Sequence, residues 1–202
     1  MIKKYYAWKK YAKAELEKIR GKESLKLILI KFFLPIILSF VAAFIIYLTG
    51  PELYTKLLYL LGFYLFTPLG ISVGIPFGVG LGINILIIVA FMLLVDCLCS
   101  MFIIWNLNYI KILPFFGKII KKIEEKTVLM LKKNGRIEKL EFLGVLLFVV
   151  VPVYWSGAII GSFVGKILSM KPQKIWTAVI IGSLIRLTII ALIVTGLINL
   201  LF

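Results

Sequence analysis

The sequence predicts an all-α integral membrane protein with about three full transmembrane helices and two opposed re-entrant helical hairpins. Three observations carry that prediction. Of the 202 residues, 62% are hydrophobic, well above the roughly 45–50% apolar usage of soluble domains, and the mean hydropathy is +1.07. No charged residue falls between Lys56 and Asp96, an apolar run long enough to enter and leave a bilayer. Finally, two apolar stretches each pair a proline with glycines four apart: Gly70, Gly74, Pro76, Gly78 and Gly82, then Pro152, Gly157, Gly161 and Gly165. Proline bends a helix, and small residues at this spacing let backbones lie close together in a membrane.

Charge sets the orientation. A formal net charge of +15 on a soluble chain would point to nucleic acid, but its distribution points to lipid. Ten of the 24 Lys and Arg lie in residues 1–31, nine in 106–142 and three in 166–174, beside apolar spans, as cytoplasmic residues do under the positive-inside rule. A multi-pass cell-membrane protein with a cytoplasmic N-terminus follows, with anionic headgroups as its partners rather than nucleic acid. Lys9, Lys10, Lys121 and Lys122 are the candidate headgroup contacts, at about 1 kcal/mol each; a solvated basic tail is the alternative. Histidine is absent, which removes the commonest metal ligand and proton shuttle. Cys97 and Cys99 suit packing better than a disulfide framework or a zinc set. No cofactor or metal is expected. No cleavable leader is expected either, since about 30 mostly polar residues precede the first apolar run.

Each element follows from length and charge. Residues 1–31 read as a basic amphipathic N-terminal segment, and 32–202 as a single membrane domain. The span at 32–49 is close to the roughly 20 residues a helix needs to cross, and Gly50-Pro51 ends it. From Lys56 to the basic segment after Asn106 the chain must pass from outside to inside, in too few residues for three crossings. This predicts a hairpin at 57–80, with its tip near Thr67, Pro68 and Gly70, and a span at 82–105. Residues 106–142 are basic, with Phe115, Phe116, Ile119, Ile120 and Ile123 at helical spacing, and predict a cytoplasmic interfacial segment. A straight helix at 143–165 would carry Lys166, Lys171 and Lys174 outside, so a second hairpin is predicted there, and a last span at 175–202. The hairpins then enter from opposite faces, as in inverted-repeat transporters with a midplane site.

Asp96 and Arg186 are the charges deepest in apolar sequence, where each costs about 2.5 to 3.5 kcal/mol to insert at a helix centre. The functional reading makes Asp96 a coupling site for a proton or cation and Arg186 its counter-ion or an anion anchor. A structural ion pair, or an Asp96 solvated near the interface, is the alternative. Candidate path-lining residues are Gly70, Gly74, Pro76, Gly78, Asn84, Pro152, Tyr154, Gly157 and Gly161, with helix packing alone as the competing explanation for the glycines. There is no His-x-x-x-His, no phosphate loop, no Gly-x-Ser-x-Gly elbow and no close carboxylate pair within a span, so no enzyme and no catalytic residue is predicted.

Gly74-Ile75-Pro76-Phe77-Gly78, Asp96 in the helix that follows, Trp105-Asn106 at its end, Pro114-x-x-Gly117, and Val151-Pro152-Val153-Tyr154-x-x-Gly157-Ala158 come in this order along the chain. Together they resemble the archaeal branch of the small multidrug export proteins, over residues 57–200. That family is similar to the DedA or VTT membrane proteins. The resemblance implies two opposed re-entrant hairpins and the movement of a lipid, small amphiphile or ion across a membrane. Many members carry an acidic residue shortly before the Ile-Pro, where this chain has Gly70, Ile71, Ser72 and Val73, which leaves coupling to Asp96. The competing function is a non-transport membrane protein that organises anionic lipids or scaffolds a partner; a homo-oligomer is compatible with both.

Overall fold

The computed structural model describes residues 24–67, 70–110, 137–151, 157–168 and 170–201. Among these residues there are seven helices and no strand: α1 (Leu25–Thr49), α2 (Pro51–Phe66), α3 (Gly70–Gly80), α4 (Ile85–Ile110), α5 (Ile137–Val150), α6 (Ala158–Ile167) and α7 (Pro172–Leu201). Lys26–Thr49 in α1, Ile85–Leu107 in α4 and Pro172–Leu197 in α7 are long and apolar enough to cross a membrane. At about 1.5 Å per residue each exceeds the roughly 30 Å of hydrocarbon. The protein is a multi-pass membrane protein.

Local chemistry moves several boundaries from where hydropathy put them. The first helix begins at Leu25 instead of 32, because Ser24 caps it by accepting a bond from the Leu27 N–H at 3.4 Å. Pro51 opens α2 at a first-turn position where its missing N–H is harmless. The helix expected from 57 therefore starts at 51 and takes in Lys56, which pairs with Glu52 at 2.7 Å. Gly82, at φ +73, turns the chain out of α3, and the Asn84 Oδ1 accepts from the Leu86 N–H at 2.9 Å, so α4 starts at Ile85 rather than 82. It continues to Ile110, so the first residues of the segment expected at the interface are a continuation of α4, and the last of them belong to α5. The last span opens at Pro172, not 175. The rest of the interfacial segment, the N-terminal residues before Ser24 and the expected tip residues Pro68 and Pro152 lie outside the described residues.

The two spans α4 and α7 pack along each other at the centre, and α1 lies against α4 and α2 on the outside. The two larger apolar clusters divide the interior, with a small third one at Leu107 and Ile167. One gathers Leu60 of α2, Ile75 of α3, Ile88 and Met92 of α4 and Leu187 of α7. The other gathers Ile104 of α4, Val145 and Val149 of α5, Ala158 of α6 and Ile175 and Val179 of α7. The pair α2/α3 thus packs on one half of the central helices and α5/α6 on the other half. Each cluster ends near the level of Asp96 and Arg186.

The outer helix is attached by repairing a defect. Pro35 lies inside α1 and has no N–H to give the carbonyl four residues back, which is that of Lys31. The Asn106 Nδ2 of α4 donates to this carbonyl at 3.1 Å and to the Phe102 carbonyl of its own helix at 2.9 Å. In hydrocarbon an unmet carbonyl costs several kcal/mol, so a proline in one span is matched to an asparagine in another. Asn106→Leu is expected to destabilise the protein by about 1–2 kcal/mol in reversible unfolding from mixed micelles. In a Pro35→Ala background, where the alanine supplies the missing N–H, the same substitution should cost clearly less. Equal costs in both backgrounds would show that the bond does not serve the proline.

Candidate functional site

Arg186 is the largest fully buried side chain, 1% exposed, and Asp96 is 4% exposed. The Arg186 Nη2 donates to the Asp96 Oδ2 at 2.7 Å and to the Tyr64 hydroxyl oxygen at 3.0 Å. The Tyr64 hydroxyl in turn donates to the Asp96 Oδ1 at 2.7 Å. Both carboxylate oxygens are therefore engaged, and the negative charge is matched by one guanidinium. On its other side the Arg186 Nη1 donates to the Val149 carbonyl at 3.4 Å. Val149 lies in the last turn of α5, where carbonyls lack helical partners and the helix end carries partial negative charge, a favourable place for a cation. The Arg186 Nε has no partner among the described residues.

Four helices thus meet at one guanidinium, and glycines bring them there. A Cβ on Gly161 of α6 would run into the Val149 side chain, and one on Gly182 of α7 would lie 2.9 Å from the Val149 Cβ and 3.1 Å from the Leu146 carbonyl oxygen. Val149 is held between two glycines, with its carbonyl turned to Arg186. At the other pair, a Cβ on Gly70 would collide with the backbone carbonyls of Phe63 and Tyr64, so α3 leaves directly beside the end of α2 that carries Tyr64.

A cavity of about 190 Å³ borders this cluster, lined by Tyr64 and Thr67 at the end of α2, Asp96 and Cys99 of α4, and Gly157 and Ile160 at the start of α6. It lies between the turning ends of the two short helix pairs. One turn beyond Asp96 on α4, Ser100 accepts a bond from Ser162 of α6 at 2.7 Å, both fully buried.

The residues singled out from sequence divide in four. Asp96, Arg186 and Gly157 come together at the cluster and its cavity. Gly70, Gly74, Gly78 and Gly161 sit at helix contacts: a Cβ would meet the Met92 Cε at 2.8 Å from Gly74 and the Ile88 Cδ1 at 2.7 Å from Gly78. Pro76 and Asn84 are exposed, on α3 and at the start of α4. Pro152, Tyr154, Lys9, Lys10, Lys121 and Lys122 lie outside the described residues. Sequence reasoning missed Tyr64, Val149 and Gly182. Tyr64 is one of several aromatic residues in an apolar run, and nothing local marks it as the partner of a carboxylate 32 positions away.

The described residues thus define a multi-pass helical membrane protein with a neutralised charge cluster beside a cavity between two short helix pairs. Residues 71–189 match the family described as "Putative small multi-drug export protein", and the chain belongs to that family. The matched stretch holds Asp96 and Arg186, while Tyr64 precedes it. No curated protein and no solved structure matches the chain.

Removing one member of a buried pair strands the other charge, at about 3–5 kcal/mol. Arg186→Gln is expected to lose that much stability in micelle unfolding, and the Asp96→Asn/Arg186→Gln double variant should recover a large part of it. A double variant as unstable as the single one would mean that the charges are not what Arg186 contributes.

Proposed function

We propose that this protein is a small membrane transporter that moves a lipid, small amphiphile or ion through a site near the bilayer midplane. The observation that carries the reading is the buried cluster of Tyr64, Asp96 and Arg186 beside a cavity framed by the ends of α2 and α6. Asp96 follows the start of α4 at Ile85 by about 16 Å at the usual helical rise, roughly halfway through the hydrocarbon. The helices of the short pairs have 16 and 11 residues, and 14 and 10, too few for each to cross alone. These lengths favour α2/α3 and α5/α6 as re-entrant hairpins that enter from opposite faces and turn back at the cluster. That arrangement is the one implied by the resemblance to the DedA or VTT proteins, and it supports placing the chain near them.

In this reading Asp96 is the coupling residue and Arg186 its counter-ion. Protonation of Asp96 loosens its hold on Arg186 and Tyr64, and so on α7 and α2 together. Residues 32–202 act as one membrane domain in the cell membrane, with the N-terminus cytoplasmic and the basic segments, Lys9, Lys10, Lys121 and Lys122 among them, on anionic headgroups. The protein is not an enzyme and needs no cofactor.

Purified protein in liposomes is expected to move a fluorescent lipid or a lipophilic cation, and Asp96→Asn to lose most of that flux while still folding, as judged by its elution profile. Robust flux unchanged by Asp96→Asn at every pH would remove the coupling role. No flux with either probe, together with normal binding to anionic vesicles, would favour a protein that organises lipids instead.

A further inference from the structure

Three cavities meet at one side chain. Besides the cavity at the charge cluster, a second of about 190 Å³ lies between α1, α2 and α4, and a third of about 260 Å³ between α1, α4 and Ile159 of α6. Leu65 lines the first and second, Ser39 and Leu98 the second and third, Ile159 the first and third, and Cys99 all three. These adjoining cavities share walls and together outline a groove under α1 that reaches Tyr64 and Asp96.

The groove exists because α1 is held at its two ends and faces the bundle with small side chains in between. At one end are the Asn106 bond to the Lys31 carbonyl and the Phe32–Phe102 ring contact at 5.7 Å; at the other is the Tyr47–Tyr54 contact with α2 at 5.6 Å. Between them Ser39, Ala42 and Ala43 line the space, in the middle of a span of which only 6% is buried. The opening therefore faces the hydrocarbon of the bilayer. A cavity of about 150 Å³ already accommodates benzene, so each section takes a stretch of hydrocarbon chain.

An ion is poorly served here. Both Asp96 oxygens are engaged and its charge is matched by Arg186, while the remaining walls are almost entirely apolar, and an ion that sheds its water into such walls pays heavily. A hydroxyl is well served. The Asp96 carboxylate has lone pairs left, and so does the Thr67 hydroxyl, whose own proton goes to the Phe63 carbonyl at 2.6 Å.

We infer that the groove binds an uncharged single-chain amphiphile that enters sideways from the bilayer, its chain under α1 against Cys99 and its hydroxyl head at Asp96 and Thr67. This names a substrate class for the transport site and rests on that reading for its purpose, though binding is measured separately from flux.

The full chain in lipid nanodiscs is exposed to a monoglyceride whose dodecyl chain carries a diazirine, irradiated, and mapped by peptide mass spectrometry. Adducts are expected to concentrate on Ser39, Ala42 and Ala43 and on Leu98, Cys99 and Phe102, which line the cavities, and to be competed by unlabelled monoglyceride. Cys99→Trp and Ala43→Phe, which fill the groove from opposite walls, should each reduce them by about tenfold; either well-behaved variant is sufficient. Adducts spread over the outer face, at Phe40, Phe44 and Leu192, and unchanged by both variants would overturn the groove. A dodecyl trimethylammonium analogue that labels the same peptides equally well would overturn the uncharged head. Absent groove labelling with intact liposome flux sinks this inference and leaves transport standing, whereas competed labelling without flux supports the groove and removes the transport reading.

Discussion

The guanidinium of Arg186 sets the conditions for the rest of the molecule. A charge at that depth is tolerated where it is paired and bonded inside the protein, and the partners of its two Nη groups come from three other helices. Asp96 answers from α4, Tyr64 from α2 and the Val149 carbonyl from the end of α5. Satisfying one residue of α7 thus brings helices from both short pairs to the same level of the central spans. If α7 turned or shifted by one residue, about 1.5 Å and 100° of helix, it would break all three bonds together, so the cluster fixes helix register as well as proximity.

The apolar packing agrees with this constraint from both sides. One buried cluster occupies α4 up to Val95 and α7 from Leu187 onward, and the other occupies α4 at Ile104 and α7 up to Val179. The polar level falls in the interval between them. Van der Waals contact between helices in a membrane is short-ranged and weakly directional, and two such clusters alone would leave the helices free to slide. The charged cluster between them supplies direction. The cavity lies at the same level, between the end of α2 and the start of α6.

Much of this was legible in the residues. Spans were readable because a bilayer demands length and low charge, and both are local properties of a sequence. Asp96 and Arg186 were readable because charges are costly in apolar runs and so stand out. Tyr64, Val149 and Gly182 were not, since their roles arise from contacts between residues 32, 37 and 122 positions apart, or from a carbonyl that every residue possesses. The pairing of Pro35 with Asn106 was hidden for the same reason: each residue is ordinary alone, and only the packing of α1 on α4 makes one the complement of the other. The boundary shifts at Ser24, Pro51 and Asn84 came from capping groups that hydropathy does not register.

Small residues in this protein have two opposite effects, and what faces them decides which. Gly74 lies against Met92, Gly78 against Ile88 and Gly161 against Val149; in each case a large side chain fills the space the glycine leaves, and the helices close. On α1, Ser39, Ala42 and Ala43 line a cavity of about 190 Å³ whose far wall includes the small Cys99. There the same economy of volume leaves a gap. The glycines of α3 and α6 therefore let their helices close on neighbouring side chains, while the small residues of α1 line the cavities beside them. Close contact and open space thus arise from residues of similar size placed on different helices, and the side chain opposite each one decides between them.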